Sequence, residues 1–341
     1  MEGGFEAANG VAEKVLGVKL PVFMRVILPG LWVTGVLYPF IAWILGHLPW
    51  DSNHSWQRIA AYAALVLILG ALISTTNSEI YKIYEGRVGW PDCLFEWARQ
   101  RQRKRVIRLR KAAKSKKSSN QSRYDEIWSQ LRDYPVNDRG DPEATHPTRI
   151  GNILAGYEQY PNTRYGMDSV FYWPRIWLQV ERDRKEEIDS QWSVADGFLT
   201  LSAISFAGSG LWMVQALLAW MNLGRCWLPV GAPGLTMLGG AGWLFFGWFW
   251  YWLSLPFHRD NAEVFKSIFD IYREKVWSLT SLRPHEVEMW KATWAYFQYL
   301  VLKCPNCETW NDARRDKCKK CDFELQDITK KLRDSGVFPT G

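Results

Sequence analysis

Four cysteines near the C-terminus carry the clearest chemistry in the chain. Cys304, Cys307, Cys318 and Cys321 follow a C-x2-C-x10-C-x2-C spacing within CPNCETWNDARRDKCKKC. A two-residue gap turns both thiolates of a knuckle toward one point, and two knuckles supply four sulfurs for a tetrahedral metal. The spacing predicts a structural Zn2+ site. Iron is the alternative, because four thiolates also suit a rubredoxin-like centre. Protein would fill every coordination position, so none stays open for catalysis. Cys93 and Cys226 stand apart and read as packing residues.

Two further groups could do chemistry. Arg149, Asn152, Glu158, Arg164, Asp168 and Arg175 lie in a short stretch rich in Tyr and Trp, with charges alternating in sign. Arg–carboxylate pairs of this kind can build a ligand pocket or a subunit contact, and a salt-bridged structural cap is the competing reading. No nucleophile–base pair or phosphate loop accompanies them, and His146 is the only nearby histidine. We therefore expect no enzyme. The third group is a basic tract: residues 99–117 hold eleven Lys/Arg and no acid, so the net charge of +7 is local. At its centre Arg103, Lys104, Arg105, Arg108, Arg110 and Lys111 are candidate contacts for anionic lipid headgroups, at about 1 kcal/mol per charge near the surface. Nucleic acid phosphates are the weaker alternative. No aromatic residue interleaves between Arg99 and Ser122 to stack on bases.

The elements that must position these groups are apolar. The chain has 341 residues, 48% of them hydrophobic, and 21 tryptophans. Four stretches lack Asp, Glu, Lys and Arg, with spans predicted at about 26–46, 59–76, 197–222 and 232–256. A helix needs roughly 20 residues to cross a hydrocarbon core. Trp43, Trp50, Trp56, Trp220, Trp227, Trp248, Trp250 and Trp252 cluster at the span ends, as aromatic belts do. Lys and Arg crowd the flanks at 14–25, 82–117 and 259–275 and are sparse in the loops at 47–58 and near Arg225. By the positive-inside rule, both termini and the middle segment are cytoplasmic, in a cytoplasmic (inner) membrane. The first span lacks the layout of a cleaved signal peptide and reads as an uncleaved anchor. Small residues recur at helical spacing (Ala203 and Ala207; Ala232, Thr236 and Gly240), which fits tight packing within one subunit.

The expected fold is an all-α integral membrane protein: two transmembrane helical hairpins, a helical cytoplasmic domain and a small zinc ribbon. Its divisions are 1–76, the N-terminal segment and first hairpin; 77–196, the cytoplasmic domain with its basic juxtamembrane helix; and 197–258, the second hairpin. Residues 259–302 follow as C-terminal cytoplasmic helices, and 303–325 as the ribbon. Helical periodicity is read at Ile127, Leu131 and Tyr134, at Ile150, Ile153, Leu154 and Tyr157, and at Val287, Trp290, Trp294, Phe297 and Val301.

Residues 146–177 resemble a segment of uncharacterised bacterial four-span membrane proteins. The resemblance rests on Pro147, Thr148, Arg149, Gly151 and Asn152, then Glu158, then Arg164, Tyr165, Gly166 and Asp168, then Trp173, Pro174 and Arg175. It implies the two-plus-two topology and no activity. The tail looks like the short zinc ribbons of bacterial proteins. It is also similar to Ran-binding-protein-type zinc fingers through Cys304, Cys307, Asn311, Cys318 and Cys321, although Leu302 stands where that family has Trp. That second resemblance implies RNA contact through Trp310, Arg314 and Arg315.

Together these readings predict a homo-oligomeric pore or membrane-anchored scaffold with a cytoplasmic regulatory domain. A nucleic-acid-responsive membrane effector, using the basic helix and the ribbon, is the alternative. An enzyme using the 149–175 block ranks last.

Overall fold

The structure is a computed structural model and describes residues 18–39, 41, 55–114, 121–137, 140–221, 233–276, 301–312 and 315–325. The regular elements among these residues are helices apart from one two-stranded ribbon. In chain order the helices are α1 Leu20–Val36, α2 Ser55–Thr75, α3 Asn77–Glu85, α4 Asp92–Lys114 and α5 Gln121–Leu131. They continue with α6 Arg149–Tyr165, α7 Ser169–Gln179, α8 Arg182–Trp220 and α9 Pro233–Val276. Strands β1 (Val301–Lys303) and β2 (Trp310–Asp312) pair antiparallel. Two compact units divide the chain. The first is Met1–Gln102, His146–Gly151 and Asp183–Asn261; the second is Arg103–Thr145, Asn152–Arg182 and Ala262–Gly341.

Two helices are long and apolar enough to cross a membrane, Trp56–Thr75 within α2 and a window within α8. α1 is a shorter apolar helix, and residues 42–50 of the first expected span lie outside the described residues. α9 is uncharged from Pro233 to His258, but its many Trp and Gly lower its mean hydropathy. The α8 helix starts at Arg182, well before the uncharged stretch, because a helix need not stop where its charges do. A π turn at Phe23–Ile27 precedes Pro29, whose ring would clash with the Arg25 carbonyl in a regular α-helix.

In the first unit the helices meet through small and hydroxyl residues. A Cβ added at Gly30 would collide with the Val66 carbonyl, and one at Gly70 with the Val26 carbonyl, so α1 and α2 cross at backbone contact. Ser202 Oγ donates to Gly247 O at 2.7 Å and Ser209 Oγ to Gly240 O at 2.8 Å, tying α8 to α9. The Trp32 ring meets Trp243, Phe246 and Trp250 edge-on at 5.4–5.5 Å. The packed face of α8 is Leu201, Ser202, Ser205, Gly208 and Ser209. Ala207, expected on the packing face, is exposed and Ala203 half-buried; Thr236 and Gly240 are buried as expected, and Ala232 lies outside the described residues.

The second unit has two cores. Val106, Leu109 and Ala113 of α4 pack on Ile127 and Leu131 of α5, with Tyr134 and Ala144. Tyr157 of α6 and Trp173 of α7 each lie 4.6 Å from the Phe265 ring of α9. The seam residues 287–297 lie outside the described residues. Val301, the fifth seam residue, is in strand β1 and not in a helix.

Candidate metal centre

Each cysteine knuckle is built the same way. Cys304 N–H donates to Thr309 O at 2.9 Å and Glu308 N–H returns to Cys304 O at 2.9 Å; Cys318 N–H donates to Phe323 O at 2.9 Å and Asp322 N–H to Cys318 O at 3.1 Å. The fourth residue after the first cysteine of each knuckle turns left-handed, Glu308 at φ 56° and Asp322 at φ 55°. These turns aim the paired thiols inward. All four sulfurs lie within 4.8 Å of one another. Cys304 Sγ is 3.5 Å from Cys321 Sγ, and Cys307 Sγ is 3.4 Å from Cys318 Sγ. A tetrahedron of sulfurs about 2.3 Å from a metal has edges of about 3.8 Å, whereas a disulfide needs about 2.05 Å. The cluster therefore fits a metal ion and does not fit two disulfides. Leu325, fully buried, closes its base with Cys304 and Cys318.

Asn311 joins the two knuckles. Its buried amide accepts from Lys319 N–H at 2.8 Å and donates to Thr309 O at 2.7 Å and to Cys318 Sγ at 3.5 Å. Burial raises the Cys318 thiol, but backbone N–H groups of Lys320 and Cys321 and the neighbouring thiols outweigh it, bringing it to about 6. Those donors favour the thiolate that a metal requires. Of the three candidate RNA contacts, Trp310 pairs with Lys303 in the ribbon, Arg315 is exposed, and Arg314 lies outside the described residues.

The 149–175 residues take up local structural tasks. In the first unit, Thr148 caps α6: its hydroxyl accepts from Gly151 N–H at 2.9 Å and donates to the Tyr84 carbonyl. Arg149 N–H, an orphan donor of the first turn, reaches Tyr251 Oη at 3.0 Å. Pro147 fills the space above Gly86, whose φ of 85° ends α3. Burial and then Arg87 hold His146 below the ordinary histidine range. In the second unit, the fully buried Asn152 accepts from Thr145 N–H at 2.9 Å. Asp168 caps α7 by accepting from Phe171 N–H at 2.7 Å. Arg175 is exposed, 3.8 Å above the Phe171 ring, and Arg164 is exposed beside Tyr160 and Tyr165. Glu158 is half-buried on α6.

The basic tract separates into two faces. Arg103 pairs with Glu143 at 3.5 Å, Arg110 with Asp141, and Arg105 donates to Gln130 Oε1 at 3.0 Å. Lys104, Arg108 and Lys111 are exposed at i, i+4, i+7, one helical stripe. A shallow groove of about 440 Å³ between α4 and α5 is lined by Arg105, Arg108, Leu109, Ala112, Ile127 and Gln130.

One cluster has no local sequence signal. Arg25 Nη1 reaches Asp189 Oδ1 at 2.7 Å and its Nε reaches Asp196 Oδ2 at 2.8 Å. Tyr81 Oη donates to Asp196 Oδ1 at 2.6 Å and lies 3.2 Å from His258 Nε2. The residues joined are more than 100 positions apart, and only the fold brings them together. The available hint was that Arg25, Asp196 and His258 each border an uncharged stretch.

Comparison of the chain with protein-family models, curated proteins and solved structures finds no match. Of the resemblances in the sequence, the four-cysteine cluster compatible with a zinc ribbon is the one that finds support.

Proposed function

We propose that this chain is a four-span membrane protein with both termini and the middle segment cytoplasmic, acting as a homo-oligomeric pore or membrane-anchored scaffold under a cytoplasmic regulatory domain. The observation that carries the reading is the exposure of α2. Only 11% of its apolar window is buried, and the window in α8 is 33% buried. The core helix of a water-soluble protein would be mostly buried. Ile59, Leu67, Ile68 and Leu72 instead face outward, as do Val214, Leu217, Leu238 and Phe245. Each half-exposed side chain forfeits roughly 1 kcal/mol in water, and lipid removes that cost. Polar groups point the other way: Thr34, Ser202, Ser205 and Ser209 are buried and hydrogen-bonded. Trp56 and Trp220 are exposed at the α2 start and α8 end, the positions of an outer aromatic belt in this topology.

Further support comes from Arg25, Tyr81, Asp196 and His258. Each lies just past the cytoplasmic end of one of the four proposed spans, and their meeting is what this topology expects of ends that share one membrane face. The Lys104, Arg108 and Lys111 stripe and its groove suit anionic headgroups. Zinc is the metal that best suits a closed four-thiolate ribbon, and iron would announce itself by visible thiolate-to-metal absorption. Particle images of the chain in lipid, with conductance measured on the same preparation, test the assembly. Symmetric particles of several copies support it. A monomer in detergent and lipid, without conductance, removes the pore form.

A further inference from the structure

The Arg25–Asp189–Asp196–Tyr81–His258 cluster lacks one hydrogen for the contacts it makes. His258 Nδ1 lies 2.9 Å from the Ser254 carbonyl, which can only accept, so Nδ1 carries a hydrogen. Tyr81 has one hydroxyl hydrogen, and both Asp196 and His258 lie within reach of its oxygen. Its 2.6 Å contact with Asp196 Oδ1 has the length of an O–H···O⁻ bond, so the hydrogen lies there. The 3.2 Å contact from Tyr81 Oη to His258 Nε2 is then filled only when Nε2 is protonated as well. Charge gives the same count. One guanidinium faces two carboxylates, leaving the cluster at −1 with a neutral imidazole and at zero with an imidazolium.

We propose that His258, Tyr81 and Asp196, which join α9, α3 and α8, form a binding site for one proton. Bound, the proton sits on His258 Nε2 and donates to Tyr81 Oη, which donates to Asp196, which is held by Arg25. The groups facing His258 are Tyr81 from α3 and Asp196 from α8, with Asp189 of α8 and Arg25 of α1 behind Asp196; on its own helix are the Ser254 carbonyl and the adjoining Arg259 and Asp260. His258 is buried and Asp189 half-exposed, so water reaches the cluster at its Asp189 end. Burial opposes a charged imidazole and holds His258 below the ordinary histidine range, with the Ser254 carbonyl and Asp196 acting against that shift. The site therefore fills at a pH below the ordinary histidine range. It rests on the geometry of the first unit alone and stands whether or not the helices cross a membrane.

The test is ring-nitrogen NMR of the full chain, 15N-labelled at its five histidines, between pH 4 and 8, with H258Q assigning the signal. His258 is expected as the Nδ1–H tautomer at pH 7.5 and to become an imidazolium with a midpoint below 6.5. Y81F and D196N should each lower proton affinity about tenfold or more, while the His146 signal stays in place and reports an intact fold. A His258 that stays neutral to pH 4, or a midpoint indifferent to Y81F, overturns the proposal.

Discussion

Asn311 is where a single side chain decides whether the two knuckles act as one site. Orienting partners of this kind are typically worth 10–100-fold in metal affinity. N311A should weaken zinc by that factor in chelator competition while keeping a four-thiolate spectrum, whereas C318S should lose the tetrahedral site. A second residue-scale expectation concerns pH. His258 and His146 are both held below their ordinary range, burial first in each. Unfolding lets them take up protons near pH 6.5 that the folded chain refuses. Stability is therefore full above about 6.5 and falls as pH drops below it, until the folded midpoints are passed. Melting temperature should decline between pH 7.5 and 5.5, and H258Q should flatten the decline. The cysteine spacing and Asn311 were legible in the sequence because a knuckle is local. The proton-binding cluster was not, because its partners come together only after the helices pack.

Helices α1 and α2 depend on glycine where their backbones touch. G70L places a side chain against the Val26 carbonyl, and a misfit of that kind costs about 1–3 kcal/mol or more. Lower thermal stability of the detergent-solubilised chain, with G35L nearly unchanged because Gly35 faces open space, would bear this out. In α4 the two cationic faces separate in the same way. Charge reversal at Lys104, Arg108 and Lys111 should abolish thermal stabilisation by added anionic lipid, an effect that salt should also weaken. R110Q should leave that stabilisation in place and lower basal stability by removing the pair with Asp141. Helix positions followed from periodicity: Ile150, Ile153 and Leu154 are all buried on α6. Helix ends did not follow, since α8 runs past the charge boundary at Asp196 and Val301 joins a strand whose partner lies nine residues on. The 149–175 block reads as a candidate site because its residues are polar and close in sequence. Thr148 and Asp168 cap helices and Asn152 accepts a backbone N–H, tasks that short hydroxyl, carboxylate and amide side chains take near a helix start.

At the scale of the whole molecule, apolar side chains face outward along α2, α8 and α9, and Ser202, Ser205, Ser209, Thr236 and Ser254 face inward along α8 and α9, which is the arrangement a hydrocarbon solvent selects. The mild average hydropathy concealed this, because charged segments offset the uncharged ones. The central claim is the number and direction of the crossings. It is tested most directly by fusing a reporter active only outside the cytoplasmic membrane at five places: residues 51–54, 117–120, 225–229, 279–282 and after 341. The account predicts activity at 51–54 and 225–229 only, with every fusion in the membrane fraction. Activity at 117–120 or after 341, or recovery of the chain in the soluble fraction, would contradict it.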